Sequence, residues 1–398
     1  MKKYFVILVA VTMAVTTDIF AQSSDFLAIG REFELLEDST VNYLMPVYQL
    51  KINEPSTDAD FQSRWNWIQM YPTYLSRLTS ERKSTLEAIN EFRRGGGIVS
   101  SESALLTNDD VLNYLIKKSK DERVVMINEN HFAPHHRILV EILMDSLYNY
   151  GFRYLAMEAV SKNDTVLNKR GFATTYSGFY TREPMMSNLI RSAIARGYYV
   201  FGYDDNTDDR EKNQASNIFQ KTIAKDSTSK VLVLAGFQHI DEREGTRNWA
   251  REGARNWMAR EFYLLTEIDP LTINQQSMIV EDVYLMFRDT TVRGNRSSDI
   301  FIANNIDYDT FATKSGYTNY DIVIPLEIAE QAQTETLLYV VSVFKADEYR
   351  ADKTAIPMYN YVLNGSLSNI SIKLPYDAYF YVIKDRYGKI VHNGTFDR

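Results

Sequence analysis

Val124-Val125-Met126-Ile127-Asn128-Glu129-Asn130-His131 is an apolar, β-branched run that ends abruptly in polar residues. A short run of this kind before a polar turn reads as a buried strand of a parallel sheet. Pro134-His135-His136-Arg137 then opens a helix to about Tyr150, with Leu139, Ile142, Leu143 and Leu147 on its apolar face and Gly151 as its stop. The same grammar repeats. Tyr154-Leu155-Ala156-Met157 runs into Glu158, Tyr198 to Tyr203 runs into Asp204-Asp205, and Val231-Leu232-Val233-Leu234-Ala235 runs into Gly236-Phe237-Gln238-His239. Helices are predicted between these strands at 184–196 and about 210–224, and after them around 247–263. Strand–helix alternation of this length predicts an α/β fold with a parallel sheet flanked by helices.

In such a sheet the ligand sits beyond the carboxyl ends of the strands. Parallel strands would bring Glu129, His131, Glu158, Asp204, Asp205, Gln238 and His239 to one edge. Four of the five histidines lie in two of these segments. Histidine is the commonest side chain for proton transfer near neutral pH and a frequent metal ligand. His131 or His239 is therefore expected as a general base, with Glu129 or Glu158 orienting the imidazole or a water. An alternative reading of the same residues is a divalent cation held by two imidazoles and a carboxylate. Asp204-Asp205 also reads as a turn pair. His135 and His136 fall in the first helical turn, where the dipole disfavours a cation, and at least one is expected to point to solvent. His131 and His135 do not form a HExxH pair, because Pro134 interrupts any helix carrying both. No G-x-S-x-G elbow or glycine-rich phosphate loop is present.

The apolar strand ending in Asn128-Glu129-Asn130-His131, with His136-Arg137 beyond it, resembles the first motif of the superfamily of erythromycin esterases, ChaN-type haem-uptake proteins and Tiki proteases. Leu155-Ala156-Met157-Glu158 resembles the second strand of that superfamily, Arg210 its arginine-led helix, and Val231 to His239 its closing strand with Gly-x-x-His. The similarity covers roughly residues 110–265, and Asn128 stands where the family has its first glycine. It implies functional roles for Glu129, His131, Glu158 and His239. Esterase-like members imply water activation by histidine without metal, and Tiki-like members a metal-dependent protease, with His131, His239 and Glu158 as the metal ligands. ChaN-like members imply haem binding, with His135, His136 or a tyrosine of the 171–182 loop as axial ligand. His135, His136, Arg137, Asp204, Asp205 and Gln238 are expected to line the substrate or cofactor site. The expected partner is a small-molecule or peptide substrate, and the resemblance leaves open whether a cofactor is absent, a divalent cation or haem.

The remaining sequence frames this unit. Lys2 and Lys3 followed by the apolar stretch from Phe5 to Val15 read as a signal peptide of residues 1–21, which implies export to the periplasm or beyond. Its removal would take the formal charge from −8 to −9. An acidic chain without a long basic block argues against nucleic-acid binding. With no cysteine, disulfides and thiolate chemistry are excluded, and no other stretch is apolar enough to span a membrane. Residues 22–100 are expected to be a mostly helical segment, polar and irregular to 62 and then a helical hairpin whose second arm starts at Pro72 and ends at Gly95-Gly96-Gly97. Residues 101–317 would carry the catalytic-type α/β unit. Period-two patterning and turn signals after about residue 318 predict a small antiparallel β-rich domain over 318–398 that contributes no catalytic group.

Overall fold

The computed structural model describes residues 25–81, 108–246, 255–276, 285–289, 297–365 and 367–396. The expected signal peptide, the second arm of the hairpin with its triple glycine, and the beginning of the helix expected around 247–263 lie outside these residues.

Seven strands form the central sheet: β1 (Val124–Glu129), β2 (Phe152–Met157), β3 (Tyr199–Gly202), β4 (Lys230–Gly236), β5 (Leu271–Asn274), β6 (Leu285–Asp289) and β7 (Ile300–Asn304). Their order is β3-β2-β4-β1-β5-β7-β6. All pairings are parallel except that of the edge strand β6 with β7. The four strands read from the sequence are those at the β3-β2-β4-β1 side. β5 to β7 extend the sheet beyond them.

Alternation along the strands explains the layering. Val125, Ile127, Leu155, Met157, Leu232 and Leu234 face one side and pack with Leu139, Leu143, Leu189 and Ile190. These belong to the helices His135–Asn149 and Pro184–Arg196. Val124, Met126, Ala156, Val231 and Val233 face the other side and pack with Ala215, Ile218, Met258 and Phe262, from the helices Arg210–Lys221 and Met258–Thr266. Gly197 stops the Pro184–Arg196 helix in the left-handed conformation, with φ 94°, as its glycine allows.

The flanking segments join this core. The stretch expected to be irregular contains helices Asp25–Glu32 and Met45–Ile52. Val47, Leu50 and Tyr74 pack into the same cluster as β1 and β2, and that burial stabilises the Met45–Ile52 helix, whose sequence is only weakly amphipathic. Pro72 does not start a second arm: it lies inside a single helix, Phe61–Leu75. Near the end of that helix its missing N–H removes one internal bond without ending the element at the preceding residue.

The β-rich region expected after about residue 318 contains the strands β8 (Thr318–Val323), β9 (Tyr339–Lys345), β10 (Tyr359–Leu363), β11 (Asn369–Leu374), β12 (Tyr379–Asp385) and β13 (Ile390–Thr395). They form an antiparallel four-stranded sheet, β10-β9-β12-β13, and an antiparallel pair, β11-β8. Most of their apolar side chains make a separate cluster, while Leu337, Val340, Ile356 and Val362 belong to the main core.

Candidate active site

The β1 carboxyl end supplies a carboxylate, an imidazole and a guanidinium in one contact chain. Glu129 is 1 % exposed, and its Oε1 lies 3.0 Å from His131 Nδ1. Arg137, on the first turn of the next helix, donates from Nε to Glu129 Oε2 at 2.7 Å. It also donates to the His131 carbonyl at 2.8 Å and to Glu183 at 2.5 Å. Glu183 accepts the backbone N–H groups of Met185 and Met186, capping the Pro184–Arg196 helix where anionic charge is favoured. Burial pushes the Glu129 carboxyl up, but Arg137 and His131 outweigh it and hold the group at about 2. An ionised Glu129 only accepts hydrogen bonds, so the proton of a neutral His131 resides on Nδ1 and the Nε2 lone pair is left open.

The ends of β2 and β4 supply the facing group. Glu158 Oε2 accepts the Gly236 N–H at 2.6 Å, and its Oε1 takes Arg210 at 2.6 Å and His239 Nε2 at 3.3 Å. Burial raises the Glu158 carboxyl, yet His239, His131 and Arg210 together hold it well below the usual carboxylate range. His239 is clasped on both sides, with Nδ1 2.7 Å from Glu211. Although desolvation opposes its charge, Glu158 and Glu211 lift it to about 10. Both ring nitrogens of His239 face carboxylate oxygens, so neither is left open as the Nε2 of His131 is. Asp204 orients Arg210 by accepting from its Nε at 2.9 Å. A Cβ on Gly236 would come within 2.5 Å of His131 Nε2 and 2.8 Å of Glu158 Oε2. Glycine there is what lets both groups converge over the strand end.

A third layer covers the imidazole. The Tyr180 ring stacks on His131 with centroids 3.9 Å apart, and the Phe237 ring meets it edge-on at 4.8 Å. The chain carrying Tyr180 is tied from both flanking segments. Arg77 donates to the Phe179 carbonyl, Glu34 pairs with both Arg77 and Arg182, and Tyr43 donates to the Arg182 carbonyl. From the other side, Thr175 donates to the Thr354 carbonyl and Ile356 to the Ala173 carbonyl.

Glu129, His131, Glu158, His239, Arg137 and Asp204 are thus brought together. Asp205 is a turn residue, accepting from the Thr207 N–H and hydroxyl. Gln238 is exposed and outside the group. His135 and His136 are both buried, against the expectation that one meets solvent. His136 Nδ1 accepts the Asn130 N–H, and His135 lines a cavity of about 30 Å³, far smaller than a porphyrin, so neither fits as a haem ligand. Of the loop tyrosines, Tyr176 is exposed and Tyr180 covers His131. The expected cation site does not fit either. Glu158 already accepts from Arg210 and a backbone N–H, both ring nitrogens of His239 face carboxylates, and no group of three or more ligand-type side chains that could hold a metal ion is found among the described residues. Asn128 donates to the Phe237 carbonyl and accepts the Gln275 N–H, locking the β1, β4 and β5 ends together.

Sequence reasoning missed Tyr180, Glu183 and Glu211 as members of this group. Glu211 had a readable signal, since it follows Arg210 at a helix start. Tyr180 had none, because its place is set by contacts more than a hundred residues away.

Fold and site together define an α/β protein with a charged, histidine-bearing cluster at the carboxyl edge of a parallel sheet. No protein-family model and no curated protein matches the chain. Solved structures similar to it include the type III effector HopBA1, at 14 % identity and TM-score 0.36, covering 52 % of this chain and 100 % of that one. ChaN of Campylobacter jejuni, described with cofacial haem binding, is similar at 11 % identity and TM-score 0.30, over 50 % and 91 % of the two chains. RRSP, a MARTX toxin effector domain from Vibrio vulnificus, is similar at 15 % identity and TM-score 0.30, over 74 % and 67 %.

Proposed function

We propose that this chain is an exported hydrolase in which His131 activates water for attack on an ester or amide carbonyl. The observation that carries the reading is the ionised Glu129 on His131 Nδ1, which leaves Nε2 as the acceptor over Gly236. Nε2 takes a proton from water as the oxygen bonds to the carbonyl carbon. The imidazolium then returns that proton to the leaving alcohol or amine as its bond to carbon breaks. Glu129 stabilises the intermediate imidazolium, and Arg137 keeps Glu129 in place. Glu158, anchored by Arg210 and His239, presents a fixed negative edge opposite Nε2 that favours the same charge. No step of this reading runs through a metal or haem.

The test is hydrolysis of aryl esters, aryl amides and macrolactones by wild type and His131→Ala. A loss of about 10²- to 10⁴-fold is expected, the usual contribution of a positioned base. Activity of the wild type is expected to survive chelation. Equal turnover by both proteins would remove His131 from the mechanism. Loss on chelation with recovery on Mn²⁺ or Zn²⁺ would return the metal-dependent reading.

A further inference from the structure

A second, partly open cavity lies between the Pro184–Arg196 helix, the Tyr308–Lys314 helix and the C-terminal strands. It has a volume of about 370 Å³, within the range of small-molecule sites. Most of its polar wall is already paired. Arg191 is held by both oxygens of Glu348, at 3.0 and 2.8 Å from Nε, and by Ser187 and Asn188. Lys345 pairs with Asp377 at 2.7 Å. Tyr308 and Tyr379 spend their hydroxyl protons on the carbonyls of Lys373 and Pro375.

Glu141 is the exception. One oxygen accepts the Ser192 hydroxyl at 2.6 Å, and the other has no hydrogen-bond partner among the described residues. Burial pushes this carboxyl above its ordinary range, and the nearby Arg196, which is itself bonded to Asp145, offsets that only in part. The lining therefore sets three carboxylates against two cations. Beside Glu141 stand Tyr308 and Tyr317, both of whose phenols feel its charge, and Phe311 meets the Tyr317 ring edge-on at 5.7 Å. A wall of aromatic rings around one under-compensated carboxylate suits a cation with an apolar body.

We propose that this cavity binds a small organic ammonium, its N–H groups on Glu141 and its apolar body against Tyr308, Phe311 and Tyr317. The site is separate from the histidine cluster and does not depend on the hydrolase reading.

The experiment is calorimetric titration of the full chain with 2-phenylethylammonium, 2-phenylethanol and 3-phenylpropionate, which share a body and differ in head group. Only the ammonium is expected to bind at submillimolar concentration, the other two at least tenfold more weakly. Glu141→Gln should weaken the ammonium at least tenfold without lowering the thermal midpoint, and Tyr317→Leu, which keeps the carboxylate, should weaken it several-fold. The proposal is overturned if the ammonium does not bind, if the alcohol binds as well as the ammonium, or if Glu141→Gln binds it unchanged. Hydrolysis by wild type and Glu141→Gln is read in parallel and is expected to be equal, so failure of either reading is seen independently.

Discussion

Single residues at the sheet edge are held by charge rather than by space filling, and that makes their contribution pH-dependent. His239 shows it most directly. Its proton is retained up to about 10 in the folded chain by Glu158 and Glu211, against about 6.5 for an ordinary histidine. A raised group of this kind stabilises fully below its unfolded value, and the stabilisation is lost as pH rises through the folded one. Between pH 6.5 and 10 the unfolded chain binds fewer protons at this position than the folded chain does. Stability is therefore expected to fall with pH across that window, by on the order of 1 kcal/mol per unit. Denaturant unfolding at pH 6, 8 and 9.5 checks it. His239→Gln leaves two carboxylates without their shared cation, so it should be less stable at pH 6 and should show a flatter decline above. A variant with the same slope as wild type would mean that His239 is not the titrating group. Glu129 acts in the opposite sense: depressed to about 2, it contributes above the ordinary carboxylate range and loses that contribution as pH falls.

Elements carry these residues with different legibility. β1, β2, β3 and β4 could be read because continuous apolar runs bounded by Gly, Asp and Glu have few other uses, and their parallel order put Glu129, His131, Glu158 and His239 on one edge. β5 and β7, of four and five residues, were not read from the sequence. Residues 172–183 were legible only as a loop, because what shapes them is tertiary. Arg77 and Arg182 converge on Glu34, with Arg77 1 % exposed and Glu34 2 %, and this buried pair of ion pairs clamps the chain that holds Tyr180 on His131. Removing one partner of a buried pair leaves an uncompensated charge and costs about 3–5 kcal/mol. Glu34→Gln keeps the volume and leaves the buried guanidinium of Arg77 and the half-buried one of Arg182 without their carboxylate. It is expected to lose stability of that order and to speed amide exchange across 172–183 more than in β1 or β4. If stability drops by less than about 1 kcal/mol and the segment keeps its protection, the clamp is not what positions Tyr180.

At the scale of the whole molecule, the sheet is completed by what lies before and after it. The C-terminal strands have their own apolar cluster around Val341, Val343, Ile372 and Ile383, as period-two patterning leads one to expect of a separate unit. Three couplings argue against independence in solution. Leu337, Val340, Ile356 and Val362 sit in the main core, so removing them opens a broad apolar face. Glu348 is the counter-charge of Arg191, which is 8 % exposed and would be left buried and unpaired. Asn360 donates to the Arg77 carbonyl at 2.9 Å, and Thr354 to Ile356 hold the backbone of 173–175, so the clamp over His131 is braced from the same end. A chain ending at Tyr317 is therefore expected to be insoluble, or soluble without a cooperative thermal transition, and co-expression with residues 318–398 is expected to restore both properties. A truncated protein that stays monomeric, melts cooperatively within a few degrees of the full chain and retains exchange protection across 172–183 would show that the C-terminal strands merely abut the α/β unit. In that case Tyr180 would owe its place to Glu34, Arg77 and Arg182 alone.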